Sequence, residues 1–404
     1  MLSKKQKYLL LSTSGGFFLW GIVSAIAPLS VYWSISSGYI TILLMIGPIS
    51  LVIGNFVMGI LSDWIGRKKI FIITLILYSI GIILIGTSYN IISLILGLSI
   101  SQFAVGGEEP PALALLAENF DYKRRAATLT LIPNFMNIGS AVASLIFLFS
   151  FFTGEIIQRM ALLLLSLILI AILLYTRLNI PESYMWLKAK GDLERAEREK
   201  KDLVISINGK KVKPPGIGIS LPVLIFLGVS QYMSFWLMAI AIGPYIFPSE
   251  TNIIIFTATI GASLGAFVAL PILKIGKRKY TLLSFLGGFV TIIFILPAIF
   301  SNNFYLFLII LFINMIFSEL AWVSRTNLEP ELFKTLGRTT LISFVRIFPI
   351  SLYILALIYT VNFNASQFIT LNIFLWFIGI IASIIWFKYG IETYDVNIDY
   401  TNSE

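Results

Sequence analysis

Four ionisable side chains interrupt long apolar stretches of this chain: Glu108, Glu109, Glu319 and Arg346. An ionised group at bilayer depth costs at least about 2.5 to 3.5 kcal/mol on insertion scales, so each needs a partner or a use. A carboxylate in such surroundings can take up and release a proton, and a buried guanidinium requires an anion. Glu108 precedes Glu118 by ten residues, about 15 Å of helix. Glu319 precedes Glu331 by twelve, about 18 Å by the same rise. The two carboxylates are 211 positions apart and are expected at nearly equivalent places in two repeats, able to face one another. Glu109 competes with Glu108 for this role, because consecutive helical residues point about 100° apart. Pro110 and Pro111 remove two helical donors and free carbonyls near Gly106 and Gly107, so a broken span is expected there. Arg346 lies eight residues beyond Arg338, roughly 12 Å into its helix. Its partner is expected to be Glu319, Glu108 or the carboxylate or phosphate of a ligand. The competing reading of all four is a structural ion pair tying two halves together, and Arg325 is read as an interface residue.

Asn55, Asn134, Asn137, Gln231, Tyr232, Trp236 and Trp322 are the polar and aromatic residues expected to line a cavity among these helices. Helix-to-helix hydrogen bonding is the competing role for each. The chain contains no cysteine and no histidine. Disulfides, Cys or His metal sites and Ser-His or Cys-His nucleophile pairs are therefore excluded, and neither catalytic residue, metal nor cofactor is expected. The chain reads as no enzyme.

The elements that must hold these residues are membrane spans. Of the 404 residues, 58% are hydrophobic and 12% charged, with a mean hydropathy of +0.92. Apolar runs of about 20 residues, enough to cross a bilayer, place twelve spans near 8 to 32, 39 to 61, 70 to 88, 91 to 118, 127 to 151, 157 to 177, 219 to 247, 252 to 273, 280 to 300, 303 to 326, 339 to 361 and 365 to 387. The first apolar run is too long for a signal peptide's core. Lys4/Lys5/Lys7, Arg67/Lys68/Lys69, Lys123/Arg124/Arg125, the 178 to 218 loop, Lys274/Lys277/Arg278/Lys279, Lys334/Arg338 and Lys388 all fall on one side. By the positive-inside rule both termini and the long loop are cytoplasmic. The net charge of +9 is dispersed in these short clusters, which argues against nucleic acid and for a lipid bilayer as partner. Three segments are expected: 1–178 and 219–404, each a six-helix bundle, and 179–218, a solvated cytoplasmic connector. Within the connector, 187 to 203 is helix-prone with Glu194 and Arg198 at i,i+4, and Pro214-Pro215-Gly216 closes it.

The two halves share marks. Glu118 and Arg125 are seven apart, as are Glu331 and Arg338, and each member of one pair lies 213 positions from its counterpart. Gly66-Arg67-Lys68-Lys69 is matched by Gly276-Lys277-Arg278-Lys279 at an offset of 210. These marks follow spans two and eight and spans four and ten, as a parallel duplication of six spans predicts.

Gly59-Ile60-Leu61-Ser62-Asp63-Trp64-Ile65-Gly66-Arg67-Lys68-Lys69 closely resembles the loop signature of the major facilitator superfamily. Gly59 permits close helix approach and Gly66 a tight turn, while Asp63 can pair with Arg67 and face a helix N-terminus. The resemblance implies that this helix is span eleven, beginning near Gly337 to Thr339, and that the contact holds a cytoplasmic gate shut. Pro181-Glu182-Ser183 with Trp186-Leu187 and Lys190-Gly191 looks like the post-span-six signature of sugar porters. Val105 to Pro110, with Glu118 and Arg125, looks like span four of the metabolite–proton symporter branches, which carry an Arg where this chain has the Ser99 to Gln102 region.

The implied fold is an all-α membrane protein, with twelve transmembrane helices in two pseudo-symmetric six-helix bundles around a central cavity. The implied function is secondary active transport of a small polar metabolite, such as a sugar or organic acid, by alternating access with proton symport, in a monomer. Uncoupled or export-type transport of a sugar or amphipathic cation is the alternative, ahead of a membrane enzyme or a transport-inactive sensor.

Overall fold

The computed structural model describes residues 2–30, 33–149, 154–204, 210–211, 217–394 and 396–397. Among the described residues, twelve helical segments long and apolar enough to cross a bilayer run over Lys4–Leu29, Ile40–Ile65, Arg67–Gly86, Ile91–Asn119, Tyr122–Phe149, Glu155–Asn179, Ile217–Ile246, Pro248–Ile275, Lys277–Phe300, Phe304–Leu332, Arg338–Thr360 and Ala365–Tyr389. Several outrun the apolar segments that announce them. Span two continues to Ile65, span five starts at Tyr122 and span ten ends at Leu332. Each added turn carries charged residues that other helices satisfy, so the helix persists where hydropathy falls. Span five begins at Tyr122 because the Asp121 side chain accepts from the Arg124 N–H, filling one of the donors a helix start leaves open. Asn90 and Asn303 cap spans four and ten in the same way.

Burial separates an inner ring from an outer one. The apolar core of span seven is 89% buried, against 33% for spans six and nine, whose outward faces carry Leu164, Ile168, Val290 and other large apolar side chains. Such a surface suits hydrocarbon, where no water competes for it. Span two packs on span eleven and span five on span eight, so each half meets the other along two seams.

Span four is a continuous helix through Pro110 and Pro111, contrary to the expected break. The prolines lie in its fully buried second half. Against span two the approach is backbone to backbone: a Cβ on Gly106 would lie 2.1 Å from the Leu51 carbonyl oxygen. Gly106→Leu is expected to force the two helices apart and abolish a monodisperse peak in fluorescence-detected size-exclusion chromatography, because overpacking costs at least about 1 to 3 kcal/mol even where relaxation is possible.

The connector is less solvated than its composition suggests. It holds two short helices, Tyr184–Ala189 and Leu193–Lys201, parted at Gly191. Trp186 is buried, donates its indole N–H to the Asp63 carbonyl at 3.0 Å and stacks near the Arg67 guanidinium. Pro214-Pro215-Gly216 lies outside the described residues. Lys210–Lys211 pairs in parallel with Val396–Asn397 through the backbone.

Candidate solute and proton site

Glu108 and Glu109 diverge around span four, as consecutive helical residues must. Glu108 turns into its own bundle. Arg177 Nη2 sits 2.7 Å from both of its carboxylate oxygens, and Thr74 Oγ1 donates to Oε2 at 2.9 Å. Arg177 also donates to the Phe71 carbonyl and lies over the Phe71 ring. Glu108 thus meets neither Arg346 nor Glu319. The sequence reading missed Arg177, the last residue of its span six and two short of the observed helix end; its long side chain reaches inward to Glu108.

Glu109 crosses to the other half, where Arg346 Nη1 contacts its carboxylate. Arg346 Nε donates to Glu329 Oε2 at 2.7 Å, Glu329 Oε1 accepts from Arg325 Nη2 at 3.1 Å, and Arg325 Nη1 donates to Gln231 at 2.7 Å. The Trp322 ring lies 5.3 Å from the Arg346 guanidinium carbon and 5.7 Å from that of Arg325, in cation–π range. Spans four, eleven, ten and seven are therefore joined by one buried chain of two carboxylates and two guanidiniums. The expected partners of Arg346, Glu319 and Glu108, are replaced by Glu109 and Glu329. Glu329 escaped notice because span ten was ended at 326, which put it in a loop. Its i,i+4 spacing from Arg325 was the available signal.

Glu319 occupies a separate place. Asn137 Nδ2 donates to its Oε2 at 2.8 Å and to Asn134 Oδ1 at 3.1 Å, while Asn134 Nδ2 donates to the Ser263 carbonyl at 3.1 Å. The other oxygen of Glu319 is buried without a hydrogen bond. The repeat that puts Glu319 level with Glu108 does not give it a matching arginine, so the two do not form a facing pair. Asn55 donates to the Leu51 carbonyl within its own helix, at the contact with span four, and lines none of the described cavities.

Tyr232, Trp236 and Tyr353 form an aromatic cluster with ring centroids 5.7 to 6.3 Å apart. With Ser24, Gln102 and residues of spans two and seven they enclose a cavity of about 30 Å³. That holds about two waters, too little for a metabolite. A π-helical stretch at Leu237–Ala241 follows Trp236; such bulges rotate the side chains before them relative to those after.

The basic end is closed by charges exchanged between halves. Asp63 Oδ2 accepts from the Thr340 N–H at 3.0 Å and its hydroxyl at 2.8 Å, at the first turn of span eleven, and Asp63 Oδ1 lies 3.3 Å from Arg67. Glu118 accepts from Arg338 at 2.6 Å and from Arg67 at 3.5 Å. The repeat-related Glu331 lies 2.6 Å from Lys277 and 3.9 Å from Arg125. Each half thus presents to the other the carboxylate and the arginine that a twofold relation requires. The Glu182 carboxylate accepts from the N–H groups of Arg67 and Lys68 at 3.2 and 3.1 Å, and Glu392, 210 positions on, accepts from those of Lys277 and Arg278 at 2.9 and 3.3 Å. Burial pushes the Glu182 carboxyl above the usual range, and these N–H groups partly offset it. Gly66 has φ of 104° and a Cβ there would sit 2.5 Å from Glu182, so only glycine fits the turn; Gly276 repeats this at φ 99°. Gly59 meets span eleven, where a Cβ would lie 2.0 Å from Ser343 Oγ.

Twelve apolar spans in two related halves, with a buried ionic chain crossing the seam, define a multi-pass membrane protein of the major facilitator type. Residues 4–213 match the family model described as "Sugar (and other) transporter", and the chain belongs to that family. The family is one of transporters, in keeping with a chain read as no enzyme. Among curated relatives, a putative niacin/nicotinamide transporter, NiaP, of Bacillus subtilis is 28% identical over 273 residues, 66% of each chain. A minor myo-inositol transporter, IolF, of the same organism is 29% identical over 154 residues, 38% of this chain and 34% of its own. The matches thus span 66% and 34% of those relatives' lengths. Among solved structures, the proton:xylose symporter XylE bound to 6-bromo-6-deoxy-D-glucose superposes with a TM-score of 0.78 at 14% identity, covering 98% of both chains. The inward-open Escherichia coli XylE gives 0.67 at 16% identity over 98% of both.

Proposed function

We propose that this chain carries a small polar metabolite across the membrane by alternating access coupled to protons, with Glu109 as the proton-binding carboxylate. The observation that carries this reading is the contact of Glu109 with Arg346, made between halves and at buried depth. Separation of the halves strips Glu109 of its partner and leaves Arg346 to share Glu329 with Arg325. A buried charge that loses its partner costs about 3 to 5 kcal/mol, and a proton on Glu109 removes that cost on one side. The basic clusters assign the closed end to the cytoplasm. The Asp63–Thr340 and Glu118–Arg338 contacts then hold the cytoplasmic gate shut. The printed names of the relatives, with niacin, myo-inositol and xylose among their ligands, support a small polar solute.

The test is uptake of labelled nicotinate, myo-inositol and xylose into proteoliposomes with and without an imposed inward proton gradient. At least one solute is expected to accumulate several-fold with the gradient. Glu109→Gln is expected to abolish accumulation while retaining exchange at equal concentrations. Accumulation indifferent to both the gradient and Glu109→Gln ends the proposal.

A further inference from the structure

The buried charges around Glu109 do not balance within either half. In spans one to six, Glu108 and Arg177 cancel and Glu109 is left over. In spans seven to twelve, Arg325 and Arg346 share the carboxylate of Glu329, while Glu319 bonds Asn137 at a separate place and makes no ion pair among the described residues. Within this ion-paired chain one excess negative charge therefore meets one excess positive charge, and only while the halves touch. When they part, Arg346 keeps only the Glu329 carboxylate that Arg325 also takes, one anion between two buried cations. Its Nη2 is already buried without a hydrogen bond. A carboxylate in place of Glu109 would find Nη1 and Nη2 side by side, the two-pronged geometry that guanidinium offers to planar anions.

The neighbouring surface is flat and aromatic. Trp20 of span one and Trp322 of span ten face each other across the seam with ring centroids 5.9 Å apart, tilted by 53°. A planar ring between them needs two contacts of about 3.5 Å, or roughly 7 Å in all, so the indoles must part by about 1 Å and turn out of their 53° tilt to take one. Trp20 Nε1 is also buried without an acceptor, a donor for a ring nitrogen or an oxygen substituent.

We infer that the carried solute is a small planar monocarboxylate, bound with its carboxylate on Arg346 in place of Glu109 and its ring between Trp20 and Trp322. The inference rests on the transport reading above and gives it a substrate class. Glu109, displaced, takes the proton; one proton and one monoanion enter together, and the ion-paired chain keeps no odd charge on either side of the seam. The groups facing Glu109 allow this balance. Arg346 on span eleven is its partner, with Glu329 and Arg325 of span ten behind it. Tyr78 of span three shares a cavity of about 10 Å³ with both glutamates, and Glu108 beside it is neutralised by Arg177 of span six. A hexose brings no charge to Arg346, and an organic cation would add to the excess.

The test is calorimetric and tryptophan-fluorescence titration of the full chain in nanodiscs with benzoate and pyridine-3-carboxylate, their amides, xylose and tetraethylammonium. The acids are expected to bind at least tenfold more tightly than their amides, xylose or the cation. Glu109→Gln, by removing the tethered competitor, is expected to tighten acid binding about tenfold and flatten its pH dependence. Arg346→Lys keeps the charge but not the fork and is expected to weaken acid binding tenfold or more, with its melting point confirming a folded protein. Trp20→Phe keeps the ring but loses the N–H, and a several-fold loss for the pyridine acid is expected. Amides or xylose binding as tightly as the acids, or acid binding unchanged in Arg346→Lys, overturns the inference. Gradient-driven, Glu109-dependent uptake of xylose or inositol alone would overturn it while leaving the transport reading intact. Acid binding at Arg346 without proton-driven uptake would uphold the substrate class and remove the coupling.

Discussion

Arg177→Gln is expected to lower stability by about 3 to 5 kcal/mol, the range for breaking a buried ion pair by removing one partner. Its guanidinium supplies both close contacts to Glu108, and what remains for that carboxylate is the Thr74 hydroxyl. Glu108→Gln should be milder, because a neutral amide can still accept from Thr74 and from Arg177. The double substitution Glu108→Leu with Arg177→Met is expected to recover most of the loss, since apolar groups of similar size often replace a buried pair at little cost. Thermal unfolding of purified protein in detergent reads all three variants. A double variant no more stable than Arg177→Gln would show that Glu108 does more than fold the N-terminal half. This separates the adjacent glutamates by experiment: Glu108 should move the melting point, and Glu109 the response of uptake to a proton gradient.

With Asp63→Asn and Glu118→Gln combined, the basic end should open. The two carboxylates hold Thr340 and Arg338 across the seam by charge-assisted bonds, each worth about 1.5 to 3 kcal/mol. Even a net bias of 1.4 kcal/mol shifts a conformational ratio about tenfold. The chain has no cysteine, so a single Thr130→Cys reports without background. Thr130 is fully buried at the seam, beside Asn327 of span ten. Labelling of this cysteine by a membrane-impermeant maleimide from the basic side should accelerate at least tenfold in the gate variant. Equal rates in both backgrounds would mean that these contacts do not hold the end closed.

The twelve spans were legible because hydrocarbon imposes a length and a composition on every crossing segment. The duplication was legible because Glu118, Arg125, Glu331 and Arg338 keep their spacing, and the structure shows why: the carboxylate of one half lies near the arginine of the other. The Gly66 turn was legible because only glycine adopts its backbone angle beside Glu182. These are local or symmetry-related constraints, and residue type and spacing carry them.

Partner choice at mid-depth was not of that kind. Four acidic side chains and three arginines lie within reach of the central seam, and nothing in their spacing says that Glu108 takes Arg177 while Glu109 takes Arg346. A rotation of about 100° between neighbours on one helix decides it, and helix packing sets that rotation: span four is fixed by the Gly106 contact with span two. Hydropathy likewise ended span ten before Glu329, although the helix runs to Leu332 because Arg325 and Arg346 neutralise that charge. The amino-acid order alone thus determined how many times the chain crosses the membrane, which end is basic and that its halves are related. Which buried charges meet was left to the tertiary structure, because electrostatic pairing depends on distances of a few ångströms between helices far apart in the chain.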